Sequence, residues 1–253
     1  MARHIEAWMD GVALSSLGPY LIQGVQEDPA EVDAMATPRL GMDGQWPGVQ
    51  RRTALRVVIL VAIRELYDLG RRSMLAETLA GWARGSILQL SNHPERRLRV
   101  RCTGWPSVGA ARSYTEELRV ELTAWTPPYW EDQQPARLTL TGDQAEGSIR
   151  LPGTARAPIA VTVTPTSALT DFAVTVGGQT ITLEELAVPA GEQLLLTRDD
   201  EDNLQITSGG VSLMRRRTPA SADDLYCEPG AVAVSYGANV NCEVLFEARG
   251  RWI

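Results

Sequence analysis

Two stretches in the first half of the chain alternate apolar and polar residues with period two. In TEELRVELTAW, Leu118, Val120, Leu122 and Ala124 alternate with Glu117, Arg119, Glu121 and Thr123; in RRLRVRCTG, Leu98, Val100 and Cys102 alternate with Arg97, Arg99 and Arg101. This period belongs to strands with one dry face and one wet face. If the two pair antiparallel, the arginine row meets the glutamates across the wet face, worth a few tenths of a kcal/mol per pair. A chain patterned this way is committed to β-sheet, and anything helical in it requires a reason.

One helix interrupts the pattern. Ala54–Glu65 is rich in Val and Ile and reads as a buried strand. It is followed by a predicted helix over 68–84, in which Leu75, Leu79 and Trp82 form a single apolar stripe. Gly85 stands where a C′ glycine ends a helix, and Gly81 in the stripe allows close approach to a sheet. With Asp68 as N-cap, Arg71 and Arg72 would oppose the helix dipole, which leaves the start open. A helix with one narrow stripe covers one surface, so its expected place is a flank. Strand resumes in SILQLS and turns at Asn92-His93-Pro94.

Gly24 to Gln50 is rich in Pro, Gly and acids, with little periodicity. Loops of this length in compact domains tend to be functional or disordered. Trp46 within it favours docking, so the stretch is read as an arm that packs against a neighbouring chain, with Trp46, Arg51 and Arg52 as candidate oligomer-interface residues. TPPYWEDQQPAR (Thr126–Arg137) carries three prolines and reads as a linker between domains 1–133 and 134–253. Beyond it, PIAVTVTP, DFAVTV, ITLEELAV, EQLLLT, LQITSGGVSLM, AVAVSY and VNCEVLFEARGRW read as short strands between Gly and Asp turns, the pattern of a β-sandwich.

Composition removes several chemistries. All 24 basic residues are arginine, read here as the mark of a GC-rich coding sequence. Without lysine there is neither a P-loop nor a Schiff base. The net charge of −7 argues against phosphate-backbone binding. Fifteen of 31 acids lie beyond Gln134, facing nine of the arginines, so the second half is the acidic one. Cys102, Cys227 and Cys242 lack metal-ligand spacing, and Cys102 and Cys242 share the apolar phase of their strands. His4 and His93 are expected at the surface, which leaves a nucleophile without a base and zinc without ligands. The longest apolar run, Val57–Ile63, is far short of the ~20 residues of a membrane span. The N-terminus lacks a secretion signal, so synthesis in the cytoplasm is expected.

Local motifs read as structure. RDDEDN (Arg198–Asn203) has Leu204 where a calcium loop requires Gly, and reads as a hairpin tip. Asp223 and Asp224 are adjacent, point to opposite faces and are expected to cap a turn. Arg215, Arg216 and Arg217 read as a solvated loop. Trp8, Trp46, Trp105, Trp125 and Trp130 have the ring faces that stack on sugars; burial is the competing account for the pair around the linker. No catalytic, metal or cofactor site is expected, and the chain is not read as an enzyme.

In this order, VVILVAIRELYDLGRR, WARG with LQLSNHPERRLRV, ELTAWTPPYWED, TSGGVSLMRRRTPASADDLYCEPG and the ending FEARGRW resemble the distal tail protein family of siphovirus-type bacteriophages and prophages. The resemblance spans most of the chain and is thinnest over Gly24–Gln50. It implies a mainly β subunit: an N-terminal tail-tube-like sandwich or barrel with one flanking helix, then a C-terminal galectin-like β-sandwich. It further implies a hexameric ring in the virion that joins the tail tube to the tail-tip hub and receptor-binding proteins, with DNA only passing through the lumen. The alternative reading is a carbohydrate-binding β-sandwich module, and a cell-wall hydrolase ranks third.

Overall fold

The computed structural model describes residues 5–34, 37–38, 45–46, 50–63, 69–104 and 117–253, with backbone alone at 33–34, 37–38, 45–46, 50–51, 69 and 117. The expectations placed on His4, Asp68 and Trp105 lie outside the described residues. The described chain is mainly β with a single α-helix and forms two compact units, Met1–Trp130 with Ile253, and Glu131–Trp252. No described helix is long and apolar enough to cross a membrane.

The first unit contains β1 (Ala7–Met9), β2 (Val12–Ala13), β3 (Tyr20–Asp28), β4 (Val32–Ala34), β5 (Thr37–Pro38), β6 (Gln45–Trp46), β7 (Gln50–Arg52), β8 (Leu55–Ile63), α1 (Leu69–Trp82), β9 (Ile87–Leu90), β10 (Arg96–Arg99), β11 (Arg101–Gly104) and β12 (Glu117–Ala124). One sheet runs β2-β1-β9-β10 and another β11-β12-β8-β3. Ala7, Met9, Leu88, Leu90 and Leu98 of the first are buried, as are Val57, Ile59, Val61, Leu118, Val120 and Leu122 of the second. The stretch read as a single strand, Arg97–Cys102, is divided between the two sheets at Val100. Leu98 pairs with Leu88, whereas Cys102 pairs with Leu122. Alternation survives the crossing because both sheets bury their inner faces. The arginine row does not meet the glutamates: Arg101 lies opposite Thr123, and the ion pair on that face runs along β12, from Arg119 Nε to Glu121 Oε1 at 2.9 Å.

Helix α1 buries Leu75, Leu79 and Trp82 as the stripe requires. It is pinned to both sheets: Tyr20 of β3 donates its hydroxyl to Leu75 O (2.6 Å), and Trp82 Nε1 donates to Val12 O (2.9 Å) in β2. The helix therefore closes a flank. Its end differs from expectation. Gly85 does not adopt a left-handed φ; the last turns tighten through Arg84 N to Gly81 O and Gly85 N to Trp82 O. Gly85 is small because a Cβ there would run into Met9 and Asp10, whereas Gly81 faces open space and packs closely on nothing.

The second unit contains β13 (Trp130–Asp132, its first residue still in the first unit), β14 (Ala136–Leu151), β15 (Ala157–Pro165), β16 (Phe172–Val176), β17 (Gln179–Leu183), β18 (Leu194–Arg198), β19 (Leu204–Ser208), β20 (Val211–Ser212), β21 (Tyr226–Cys227), β22 (Gly230–Ala248) and β23 (Arg251–Trp252). The proline-rich stretch read as a linker thus holds a strand. The expectation of uniformly short strands fails at β14 and β22, which are 16 and 19 residues long and pair along nearly their whole lengths. β14 escaped notice because its alternation, Leu138 and Leu140 and then Ile149 and Leu151, is broken by the register shift between Gly142 and Gln144.

β22 is shared. Its first half pairs with β16 (Val234 opposite Val176, Ala238 opposite Phe172), and its second half pairs with β15 (Cys242 opposite Pro165, Ala248 opposite Ile159). Between them the strand bends, β14 shifts register between Gly142 and Gln144, and Gly142 takes φ +125°. Val234, Tyr236, Val244, Phe246, Val163, Val174, Ile181 and Leu196 close on one core. Polar groups hold the bend. Asn239 Oδ1 accepts from Thr170 N and Asp171 N, and Tyr236 Oη donates to Gly142 O (3.0 Å), with Cys242 O also in reach (3.3 Å).

Replacing Tyr236 with Phe keeps the ring and removes the one donor that serves the Gly142 and Cys242 carbonyls at the bend. The expected cost is about 1–2 kcal/mol by urea denaturation; a loss under about 0.3 kcal/mol would show that the hydroxyl does not hold the bend.

Candidate functional site

The arm stretch is not an irregular loop. β4 pairs with β7 and β5 with β6, and these pairs continue the β3–β8 hairpin. Asp28 lies opposite Arg56, and four residues further along each strand Val32 lies opposite Arg52. The three candidate interface residues fall on the returning side: Trp46 opposite Thr37, Arg51 opposite Asp33 and Arg52 opposite Val32. The side chains of Trp46 and Arg51, and residues 35–36, 39–44 and 47–49 of the arm, lie outside the described residues. Arg52 reaches back to its own hairpin, Nη1 to Ala30 O at 3.4 Å, beside Thr53 N to Glu31 O at 2.9 Å. Val32 is exposed on this hairpin. No apolar alternation marked these strands.

At the arm's root stands a cluster that the sequence did not reveal. Glu27, next to the last β3–β8 pair, accepts from Trp130 Nε1 (3.0 Å) and lies 2.8 Å from His93 Nε2, with Asn92 Nδ2 at 3.3 Å. The His93 ring packs on Trp130 at 4.7 Å between centroids. His93 was expected at the surface; it is instead half-buried between an acid and an indole. Trp130 is 3% exposed, whereas Trp125 is 52% exposed, so the two tryptophans around the supposed linker differ. The sheet of β3 also has two open sides: among the described residues β3 pairs only with β8 in it, and β11 only with β12.

In the second unit the acidic motifs are structural. Asp199 Oδ1 accepts from Glu201 N and Asn203 N, closing the β18–β19 hairpin tip. The Asn203 amide is the first of the hydrogen bonds that hold the Asp199 carboxyl below the usual aspartate range. Asp202 is engaged by Arg251 Nη2 at 2.9 Å to both oxygens. Asp224, expected as a turn cap, does accept from Leu225 N (2.7 Å), but it chiefly forms a bidentate pair with Arg198, whose Nη1 lies 2.6 Å from Oδ2. Asp223 is fully exposed. The arginine run is only partly solvated: Arg216 pairs with Glu185 (2.7 Å), and Arg217 donates to Ala222 O. Cys227 and Cys242 are buried, and burial pushes the Cys227 thiol up to about 11; Cys102 is only half-buried. Among the described residues no group of His, Cys, Asp and Glu converges as a metal site would require.

No family model matches the sequence, and no curated protein matches it. Solved structures do. The SPP1 Dit protein, a paradigm of the hub adsorption apparatus in phages infecting Gram-positive bacteria, superposes with a TM-score of 0.72 at 12% identity, over 98% of this chain and 99% of that one. The fold is that of SPP1 Dit. A chain of the phage P2 baseplate in its activated conformation with calcium matches with a TM-score of 0.53 at 10% identity, over 99% of this chain and 98% of that one. The resemblance to distal tail proteins read from the sequence is thus borne out in the fold.

Changing Asp224 to Asn leaves the Arg198 guanidinium, 10% exposed, without its charge partner. The expected loss is about 3 kcal/mol in chemical denaturation; a loss below about 1 kcal/mol would place the pair with ordinary surface ion pairs.

Proposed function

We propose that this protein is a structural subunit of a phage or prophage tail tip. It forms a homo-oligomeric ring, hexameric in this reading, that joins the tail tube to the baseplate and receptor-binding hub. The likeness to SPP1 Dit along nearly the whole of both chains carries the proposal, because it includes both units rather than one widespread sandwich. The first unit acts as the tail-tube-like ring-forming domain and the second as a galectin-like domain facing other tail proteins. The protein is made in the host cytoplasm and works in the virion, without enzymatic activity.

The four-stranded sheet supports a ring. Its strands alternate in direction, so β3 of one copy set beside β11 of the next continues the antiparallel order. Exposed Asp28 lies on one edge strand and exposed Arg101 on the other, which complement each other. Such head-to-tail contacts close into rings when the rotation closes. The hairpin arm, with Trp46, Arg51 and Arg52, extends from β3 and reaches the neighbouring subunit in this reading. A net charge of −7 suits a lumen that DNA crosses without binding.

Light scattering and negative-stain images of the purified protein should show closed rings with the mass of six chains. A different whole number would reject the hexamer alone. Persistent monomers at high concentration that also fail to bind tail tubes would reject the ring; glycan binding by such monomers would favour the carbohydrate-binding module.

Changing Trp46 to Ala should weaken ring assembly by at least about tenfold in concentration, the effect of losing an aromatic anchor, while the monomer stays folded by circular dichroism. Unchanged assembly would remove the arm from the interface.

A further inference from the structure

We infer that Glu27, His93 and Trp130 form a latch that sets the hairpin arm from the point at which the chain leaves the first unit. Glu27 occupies the one place where this can be done: its partner in the ladder is Val57, the next pair is Asp28 with Arg56, and the arm's pairing begins again at Val32 with Arg52. The root between them is held locally by Thr53 N to Glu31 O and Arg52 Nη1 to Ala30 O. Two further contacts come from far along the chain. The indole N–H of Trp130 lies 103 residues from Glu27 in sequence, and the imidazole of His93 lies 66 residues away.

The chemistry makes the three act together. An indole nitrogen is a donor only, so a buried Trp130 needs an acceptor, and Glu27 Oε2 supplies it at 3.0 Å. The same carboxylate takes His93 Nε2 at 2.8 and 3.1 Å, and the imidazole packs on the indole face. Displacing any one member unseats the other two. A carboxylate held by two rings and carried on the edge strand β3, one pair before the β3–β8 ladder ends, transmits a shift of Trp130 to the base of the arm. The latch is thus a conformational link between the arm and the end of the first unit. It does not depend on the ring reading, because it is internal to a single chain.

Hydrogen exchange on the full-length protein tests it. Trp130→Phe keeps an aromatic ring, smaller than the indole, and removes the donor; Glu27→Ala removes the acceptor. Both variants should raise exchange over residues 29–34 and 50–54 by about tenfold, while the β8–β12 amides keep wild-type protection. Glu27→Gln, which retains an acceptor, should fall between. Unchanged exchange in the arm overturns the latch, as does acceleration spread equally over β8 and β12, which is what simple destabilisation produces. Trp130→Phe and Glu27→Gln each perturb one side of the contact, so the comparison survives even if Glu27→Ala does not fold. Variants and wild type are compared in the same assembly state, because an arm that reaches a neighbouring subunit gains protection from the ring as well.

Discussion

The register between β3 and β8 governs the first unit. Tyr20, Ile22, Ile59, Val61 and Ile63 are buried, so a slip of one residue would turn that set outward. The burial of these residues therefore fixes how every later pair in the hairpin meets, including those of the arm, whose strands continue β3 and β8. This gives Glu27 its leverage: it sits one pair before the β3–β8 ladder ends, and the hairpin resumes at Val32 with Arg52.

The second unit solves a related problem with β22. A long strand that pairs with β16 along one half and β15 along the other must change direction without losing its hydrogen bonds, and an unpaired polar group in the core costs as much as a lost hydrogen bond. The bend between Ala238 and Cys242 meets that demand locally. Thr166 N and Oγ1 take Asn241 O, Asn239 caps the neighbouring loop, and Tyr236 reaches across the fold in sheet. In both units, then, one long strand carries the topology, and a few polar side chains at its discontinuity keep it in place.

What could be read beforehand follows from this division. Strands with one wet face and one dry face announced themselves, as did the α1 stripe, because burial on one side imprints a period on the sequence. The arm carried no such imprint. β14 alternates at Leu138 and Leu140 and again at Ile149 and Leu151, but the register shift at Gly142 and Gln144 breaks the period between them. The interface candidates Trp46, Arg51 and Arg52 were chosen on composition, and their common hairpin emerged only from the pairing. The latch was illegible for a different reason. A histidine before a proline looks like a turn residue, and only the fold brings Glu27 and Trp130 to it.

The absence of lysine was set down to coding bias, yet the fold uses arginine where lysine would not serve. Arg198 reaches both oxygens of Asp224 and the carbonyls of Asp202 and Leu225, so a single guanidinium joins a hairpin tip to the approach of β21. Arg251 grips both oxygens of Asp202, and Arg249 spans the adjacent carbonyls of Asp132 and Gln133. Each case relies on a planar fork with several fixed donors, which a single ammonium does not offer. A bias acting on the whole sequence explains why the residues are arginine. It does not explain why these forks meet paired acceptors at the ends of strands, and that placement reflects what the fold requires there.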